Sequence, residues 1–283
     1  MNIRRIDDTC SNCGLCVRDC VAGVWRMVDG KPEPVAPDLC NRCSHCIAVC
    51  PRDAIVHDGL DAAQAVRTKR ADLKPDAYLD IVLSRRSIRQ FREKPVPREI
   101  IEKIINCARY APTASNDQDV GYIVITDEKI IRNAAGDLFG FLNRLYAKTQ
   151  RGILKYIITR TGLAENRYLK VMEYARQQNA ETGRDFMLYS APVVLLLHTP
   201  KRSRFGTDNC AIAATTIINY AHALGLGTCY IGFMTLALRY SRKMRKHFRI
   251  PRGRMVHATL VMGYPAYSHA RTVSRKKAEI RWM

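Results

Sequence analysis

Eight cysteines carry the most regular chemical spacing in the chain. Cys10, Cys13, Cys16 and Cys20 are spaced CxxCxxCxxxC, and Cys40, Cys43, Cys46 and Cys50 repeat that spacing, with Pro51 after the last. Three thiolates set three residues apart can hold corners of one four-iron cube through a tight loop, while the fourth, carried away on the next turn, reaches a second cube. The spacing therefore predicts two [4Fe-4S] clusters. Cys10, Cys13, Cys16 and Cys50 should hold one, and Cys40, Cys43, Cys46 and Cys20 the other. The alternative is zinc, but four-cysteine zinc sites usually pair two CxxC knuckles and have no use for a middle third ligand. Val21 stands where a proline often follows the fourth cysteine, which weakens the local turn without removing a ligand. His45, inside the second run, reads as a solvent-facing loop residue. Cys107, Cys210 and Cys229 sit in apolar surroundings and read as core.

A second chemistry is written in arginine. Arg85, Arg86, Ser87, Ile88, Arg89, Gln90 and Phe91 follow a short apolar helix, Leu79 to Leu83. Guanidinium groups bind phosphate oxygens bidentately and keep their charge, so three arginines and a hydroxyl at a helix end make a phosphate fork. A basic surface turn would look the same. Three further elements follow in order: Ala111 to Gln118 before a strand, Gly225 to Gly232 after a buried helix, and Gly263, Tyr264 and Pro265 closing the last strand. Gly225 and Gly227 lack the third glycine of a dinucleotide fingerprint, and no Walker-type loop is present.

These residues need a scaffold, and composition bounds it. With 283 residues, 47% of them apolar and 25% charged, the chain can build one large globular domain and a small one. The longest apolar run, Ala191 to Leu197, is far short of the roughly 18 residues of a membrane-spanning helix and reads as a buried strand. Met1 to Cys10 lacks the apolar stretch of a secretory signal, so a cytoplasmic protein with reduced or ligating thiols is expected. Residues 1–60 hold seven basic and eight acidic residues, so the net charge of +20 resides in the remainder. Such a field attracts anions. The densest block, Arg239 to Arg254, lacks the interleaved aromatics of a nucleic-acid platform, and nucleic acid is not the expected partner.

The elements follow from pattern. Residues 1–60 form the cysteine domain, 61–75 (DAAQAVRTKRADLK and Pro75) a linker helix, and 76–283 the second domain. In the latter, Pro97 opens a helix with one apolar face. Val120 to Thr126, Val193 to His198 and Met255 to Met262 read as buried strands. Thr207 to Leu224 reads as a helix in the core or at a subunit interface, and 128–189 as a helical, basic insertion. The expected class is α+β with a mixed central sheet.

Residues 1–60 resemble the bacterial two-cluster ferredoxins. The four ordered elements of residues 76–283 resemble the nitroreductase family of FMN enzymes. The resemblance implies that Arg85, Arg86 and Ser87 hold flavin phosphate, ribityl and pyrimidine groups, with Arg89 near the N1 and O2 edge. It implies that Pro112, Thr113, Ala114 and Asn116 come from the partner subunit of a homodimer. The backbone of Tyr230, Ile231 and Gly232 would meet the ring near N5, and a late arginine, Arg275 or in its place Arg271, would grip the phosphate. Ile231 replaces an acidic residue found in some members, and the insertion has no counterpart, so the acceptor stays open. The implied activity is reduction of a small nitro, quinone or activated-alkene acceptor with electrons from reduced ferredoxin or NAD(P)H. Flow could also run outward through the clusters, or the chain could serve as a non-catalytic relay.

Overall fold

The computed structural model describes residues 1–61, 64–66, 68, 74–149 and 167–283. Most of the expected linker helix, and the middle of the expected insertion, lie outside the described residues. The chain divides into two compact units: Met1–Lys74 with Ala114–Asp117, and Pro75–Thr113 with Gln118–Met283.

The first unit is built on two short antiparallel ribbons. Strand β1 (Ile3–Arg5) pairs with β4 (Ile55–His57), and β2 (Trp25–Val28) with β3 (Lys31–Pro34). Helices α1 (Leu15–Asp19) and α2 (His45–Val49) each follow a cysteine loop. Both loops turn through left-handed residues at matching places, Asn12 and Gly14 in the first and Arg42 and Ser44 in the second, with φ of 52°, 67°, 56° and 63°. Gly14 adopts that conformation freely and Asn12 tolerates it, whereas for Arg42 and Ser44 it costs about 1–2 kcal/mol each. Ile3, Val24, Trp25 and Ile55 form a small core with Cys16. The ion pair of Arg5 and Glu33 at 2.9 Å ties β1 to β3.

The second unit opens with α3 (Pro75–Ser84) and α4 (Arg98–Ala108) and then builds a sheet from β5 (Gly121–Ile125), β6 (Val193–Pro200), β7 (Gly227–Tyr230) and β8 (Arg254–Gly263). The strand order is β5-β6-β8-β7, with antiparallel neighbours throughout. The parallel component of the expected mixed sheet is one bridge, Ser87 to Thr228. Helices α5 (Glu128–Thr149), α6 (Arg167–Thr182), α7 (Gly206–Ala223), α8 (Gly232–Tyr240) and α9 (Arg242–His247) complete it.

Side-chain alternation explains why β6 is apolar throughout. Val194 and Leu196 join Ile131, Leu138 and Leu142 of α5 and Met234 and Leu238 of α8 in one core. Val193, Leu195 and Leu197 face the opposite way, into Ile101 and Ile104 of α4 and Ala213 and Ile217 of α7. A strand covered on both faces gains from an unbroken apolar run, as Ala191 to Leu197 provides. Helix α7 buries Cys210, Ala213, Ala214, Ile217 and Ala221 against its own sheet, while Ile212 on its other side is exposed. Cys210 and Cys229 are buried as expected, and Cys107 is half-buried.

Candidate functional site

In the first unit the eight cysteines ring two cavities. Cys10, Cys13, Cys16 and Cys50 line one, and Cys20, Cys40, Cys43 and Cys46 line the other. These are the two sets of four that the spacing predicts. Counting the parts open to solvent, the cavities measure about 300 and 380 Å³. Each cavity takes three thiols from one CxxCxxC loop and the fourth from the other run, the donor set that suits a four-iron cube. Cys20 and Cys50 cap the ends of α1 and α2, which carries each across to the other loop's cavity. Val21 is 94% exposed, so a proline there would have packed on nothing. His45 is exposed too, its Nδ1 3.5 Å from Asp19 Oδ2.

Backbone and side-chain donors already address several sulfurs. Ala54 N donates to Cys50 Sγ at 3.3 Å and Arg42 N to Cys40 Sγ at 3.4 Å. His57 is 5% exposed and sets its Nε2 3.4 Å from Cys40 Sγ. Nothing in the cysteine spacing singles out His57; only the β1–β4 pairing, which puts it opposite Ile3, delivers it there.

In the second unit three of the four ordered motifs converge. The Ile88 amide donates to Thr228 O at 2.9 Å, and Arg92 N donates to Tyr264 O at 2.9 Å. Phe91 bridges Pro265. The arginine motif thus lies along β7 at one end and along the exit of β8 at the other. Gly227 is required by this approach, because a Cβ there would stand 2.5 Å from Ile88 Cγ1.

The arginines divide in role. Arg86 spends Nη1 on Leu83 O (2.7 Å) and Arg85 O (2.6 Å), and Nη2 on Arg271 O (2.5 Å), while its buried Nε has no partner. His222, on α7, lies against this corner, and its Nε2 is 2.7 Å from Ser84 Oγ. Burial, with Arg85 and Arg86 nearby, holds His222 below its ordinary pKa. A corner that repels a proton and keeps an orphaned guanidinium nitrogen fits an anionic group such as phosphate. Arg271 and Arg275 are both exposed.

Arg89 stands 5.9 Å from the centre of the Tyr189 ring. Burial pushes the Cys229 thiol up, while Arg89 and the Ser87 hydroxyl pull it back down, so these side chains share one corner. Tyr189 and Ser190 are left-handed, with φ of 59° and 48°. Asp185 holds that turn by accepting from the amides of Met187, Leu188 and Ser190 at 2.7, 3.0 and 3.0 Å. Asp185 and Tyr189 were not anticipated from the sequence, where an Asp ahead of an apolar strand was the available signal.

Tyr230 ends β7 with its hydroxyl donating to His257 O at 3.1 Å, and Ile231 N donates to Thr259 O at 2.8 Å. Gly232 then opens α8, with open space where a Cβ would lie. Its first-turn amide has no acceptor within the helix. The fourth motif stands differently. Thr113 Oγ1 accepts from Gln118 N at 3.0 Å, while Ala114–Asp117 group with the first unit. There Asn116 Nδ2 donates to Asn41 O (3.1 Å) and Arg42 O (3.0 Å) in the second cysteine loop.

Among the described residues no helix is long and apolar enough to cross a membrane. Residues 9–55 match the 4Fe-4S dicluster domain, and residues 82–264, more than half of the chain, match the nitroreductase family. A protein of Methanothermobacter thermautotrophicus named as an NADH dehydrogenase/NAD(P)H nitroreductase is 24% identical over 192 residues, covering 66% of this chain and 77% of that one. The chloronitrobenzene nitroreductase of Comamonas testosteroni is 25% identical over 207 residues, covering 68% and 88%. The crystal structure of an FMN-bound nitroreductase from Bacteroides fragilis superposes with a TM-score of 0.55 at 16% identity, covering 72% of this chain and 98% of the other. With its sheet order, its motif packing and the extent of the match agreeing, the chain belongs to the nitroreductase family of oxidoreductases and carries a 4Fe-4S dicluster domain ahead of the family's fold.

Proposed function

We propose that the chain is an FMN-dependent oxidoreductase that takes electrons from an external donor through two [4Fe-4S] clusters and reduces a small acceptor of nitro, quinone or activated-alkene type. One observation carries the reading: a single chain combines two four-cysteine cavities with a nitroreductase sheet onto which the arginine motif is hydrogen-bonded through Ile88 and Arg92. When bound, FMN supplies the conversion between one-electron and two-electron transfer.

The chain's own residues bind and orient it. Arg85 and Ser87 would contact phosphate and ribityl oxygens. Arg86, anchored on three carbonyls, holds the turn and offers its free Nε. Arg89 would place a permanent cation beside the N1 and O2 edge, and the Gly232 amide would be the backbone donor for N5. Arg275, or Arg271 in its place, adds a second phosphate contact.

Pro112, Thr113, Ala114 and Asn116 serve the site of a second copy, which makes the working unit a homodimer. Support comes from α3, where Tyr78, Leu79, Val82 and Leu83 are all exposed. Four large apolar side chains on one helix are costly to leave in water. The functional boundaries are 1–60, a 61–75 linker and 76–283, and the assigned compartment is the cytoplasm, whose reducing conditions suit a cysteine-ligated cluster domain.

The test is a parallel anaerobic assay with reduced ferredoxin, NADH and NADPH against a nitroaromatic and a quinone. Turnover with ferredoxin that is lost in Cys13→Ala supports the proposal. Turnover with NAD(P)H that survives Cys13→Ala reverses the assigned flow, and no turnover with any donor leaves a relay subunit.

A further inference from the structure

We infer that His57 is an N–H donor to the Cys40 sulfur and that it makes the site of Cys20, Cys40, Cys43 and Cys46 the easier of the two to reduce. The inference rests on the two-cluster reading. Its starting point is the tautomer. The Gly59 amide donates to His57 Nδ1 at 3.0 Å, so Nδ1 carries a lone pair. A neutral imidazole then bears its one hydrogen on Nε2, and Nε2 is the atom 3.4 Å from Cys40 Sγ.

The surroundings enforce this arrangement. The ring is 5% exposed, so water does not compete for Nε2. Gly59 comes close enough to donate because it has no side chain: a Cβ there would stand 3.1 Å from His57 Cε1 and 3.3 Å from Arg42 Nε. A backbone donor addresses the same sulfur, the Arg42 amide standing 3.4 Å from Cys40 Sγ. The cavity of Cys10, Cys13, Cys16 and Cys50 is lined otherwise by Ser11, Gly14, Leu15, Pro32, Ala54 and Ile55, none of which brings a ring N–H.

Adding an electron to a thiolate-bound cube increases the negative charge on its sulfurs. An N–H dipole aimed at a ligand sulfur stabilises that charge, most strongly where water is excluded, and raises the reduction potential. Cys40 Sγ faces two such donors, the His57 ring and the Arg42 amide, against the Ala54 amide on Cys50 Sγ, and the added ring N–H splits the potentials. One electron moving from the Cys10 side to the Cys40 side, oxidising the first by the electron that reduces the second, therefore runs downhill.

The experiment is a redox titration of the full-length, reconstituted protein followed by electron paramagnetic resonance. Iron and sulfide analysis of the wild-type chain tests the two-cluster reading by itself, before any variant is made. His57→Phe should move the upper reduction wave to more negative potential and leave the lower one in place. His57→Gln, which keeps an N–H, should move it less, and Gly59→Ala should shift it the same way by tilting the ring. In protein labelled with nitrogen-15 histidine, a nitrogen coupling should appear on the upper-wave signal and persist in His45→Ala. An unmoved wave in iron-replete His57→Phe, equal movement of both waves, a shift to more positive potential, or no histidine coupling in the labelled His45→Ala protein would overturn the inference. The last measurement decides it even if His57→Phe does not hold iron.

Discussion

The Ile88 amide donates to the Thr228 carbonyl at 2.9 Å, and this bond seats the arginine motif on the strand that leads into Tyr230, Ile231 and Gly232. The seat depends on a missing side chain. In Gly227→Ala the new Cβ would meet Ile88 Cγ1 at 2.5 Å, in a corner walled by β8. Overpacking of this kind costs about 1–3 kcal/mol. The unfolding midpoint should fall by several degrees and flavin affinity should fall with it. A variant with unchanged midpoint and unchanged affinity would show that the contact is not a constraint.

Arg85 and Arg86 should behave differently although they are neighbours. Arg85→Ala and Ser87→Ala should weaken FMN binding by about 1.5–3 kcal/mol, roughly ten- to a hundredfold, the worth of a charge-assisted phosphate contact. Arg86→Ala removes a guanidinium bound to Leu83 O, Arg85 O and Arg271 O, so it should lower stability as well as affinity. Flavin titration beside thermal unfolding separates the two cases. Unchanged affinity in the Arg85 and Ser87 variants would reduce the motif to a basic turn.

Anaerobically prepared protein should contain about eight iron and eight acid-labile sulfide per chain, from two four-iron clusters. Cys13→Ala should lose one cluster and keep FMN, because the cysteine cavities and the arginine motif lie in separate units. Tetrahedral zinc without sulfide would sink the assignment.

Assembly follows from what one chain leaves exposed. Tyr78 is 61% and Leu79 51% exposed on α3, although the Tyr78 hydroxyl accepts from Asn219 Nδ2 at 3.5 Å. The chain should be an obligate homodimer with two FMN sites, since closed two-fold symmetry creates both at once. Mass measurement on dilution tests this. A monomer that keeps full FMN occupancy at nanomolar concentration would remove the roles given to Pro112, Thr113 and Asn116.

Acid should weaken the second unit through two buried histidines. Burial first, then Arg254 and His257, hold His198 below the ordinary 6.5. Burial and Arg239 lower His257 against an opposing pull from Asp119. His257 lies between Thr199 Oγ1 and Thr207 Oγ1, 3.0 Å from each, an arrangement the neutral ring satisfies with one donor and one acceptor. As pH falls below about 6.5 the unfolded chain binds protons that the folded chain refuses, at up to about 1.4 kcal/mol per pH unit for each histidine. Stability should be level above that pH and decline below it, and His257→Gln should flatten the decline. An identical slope in the variant would clear His257 of the effect.

The cysteine cavities were legible in the sequence because ligand spacing is a local property: CxxCxxC closes one loop on itself, and the fourth cysteine needs only the following turn. Buried strands were legible for a similar reason, since Val193 to Leu197 must be covered on both faces wherever the strand lies. The order of the arginine, glycine and Gly-Tyr-Pro motifs pointed to the family, but their meeting around β7 depends on strand pairing between residues far apart in the chain. Local pattern carries no information about which arginine then faces a carbonyl. Arg86 looked equivalent to Arg85 until Leu83, Arg85 and Arg271 claimed its nitrogens. His57 and Asp185 escaped notice because a hydrogen bond to a sulfur or to a loop amide is fixed by tertiary approach within a few ångströms. Residue type and spacing therefore determined the cofactor chemistry, and the folded backbone decided which side chains were left free to tune it.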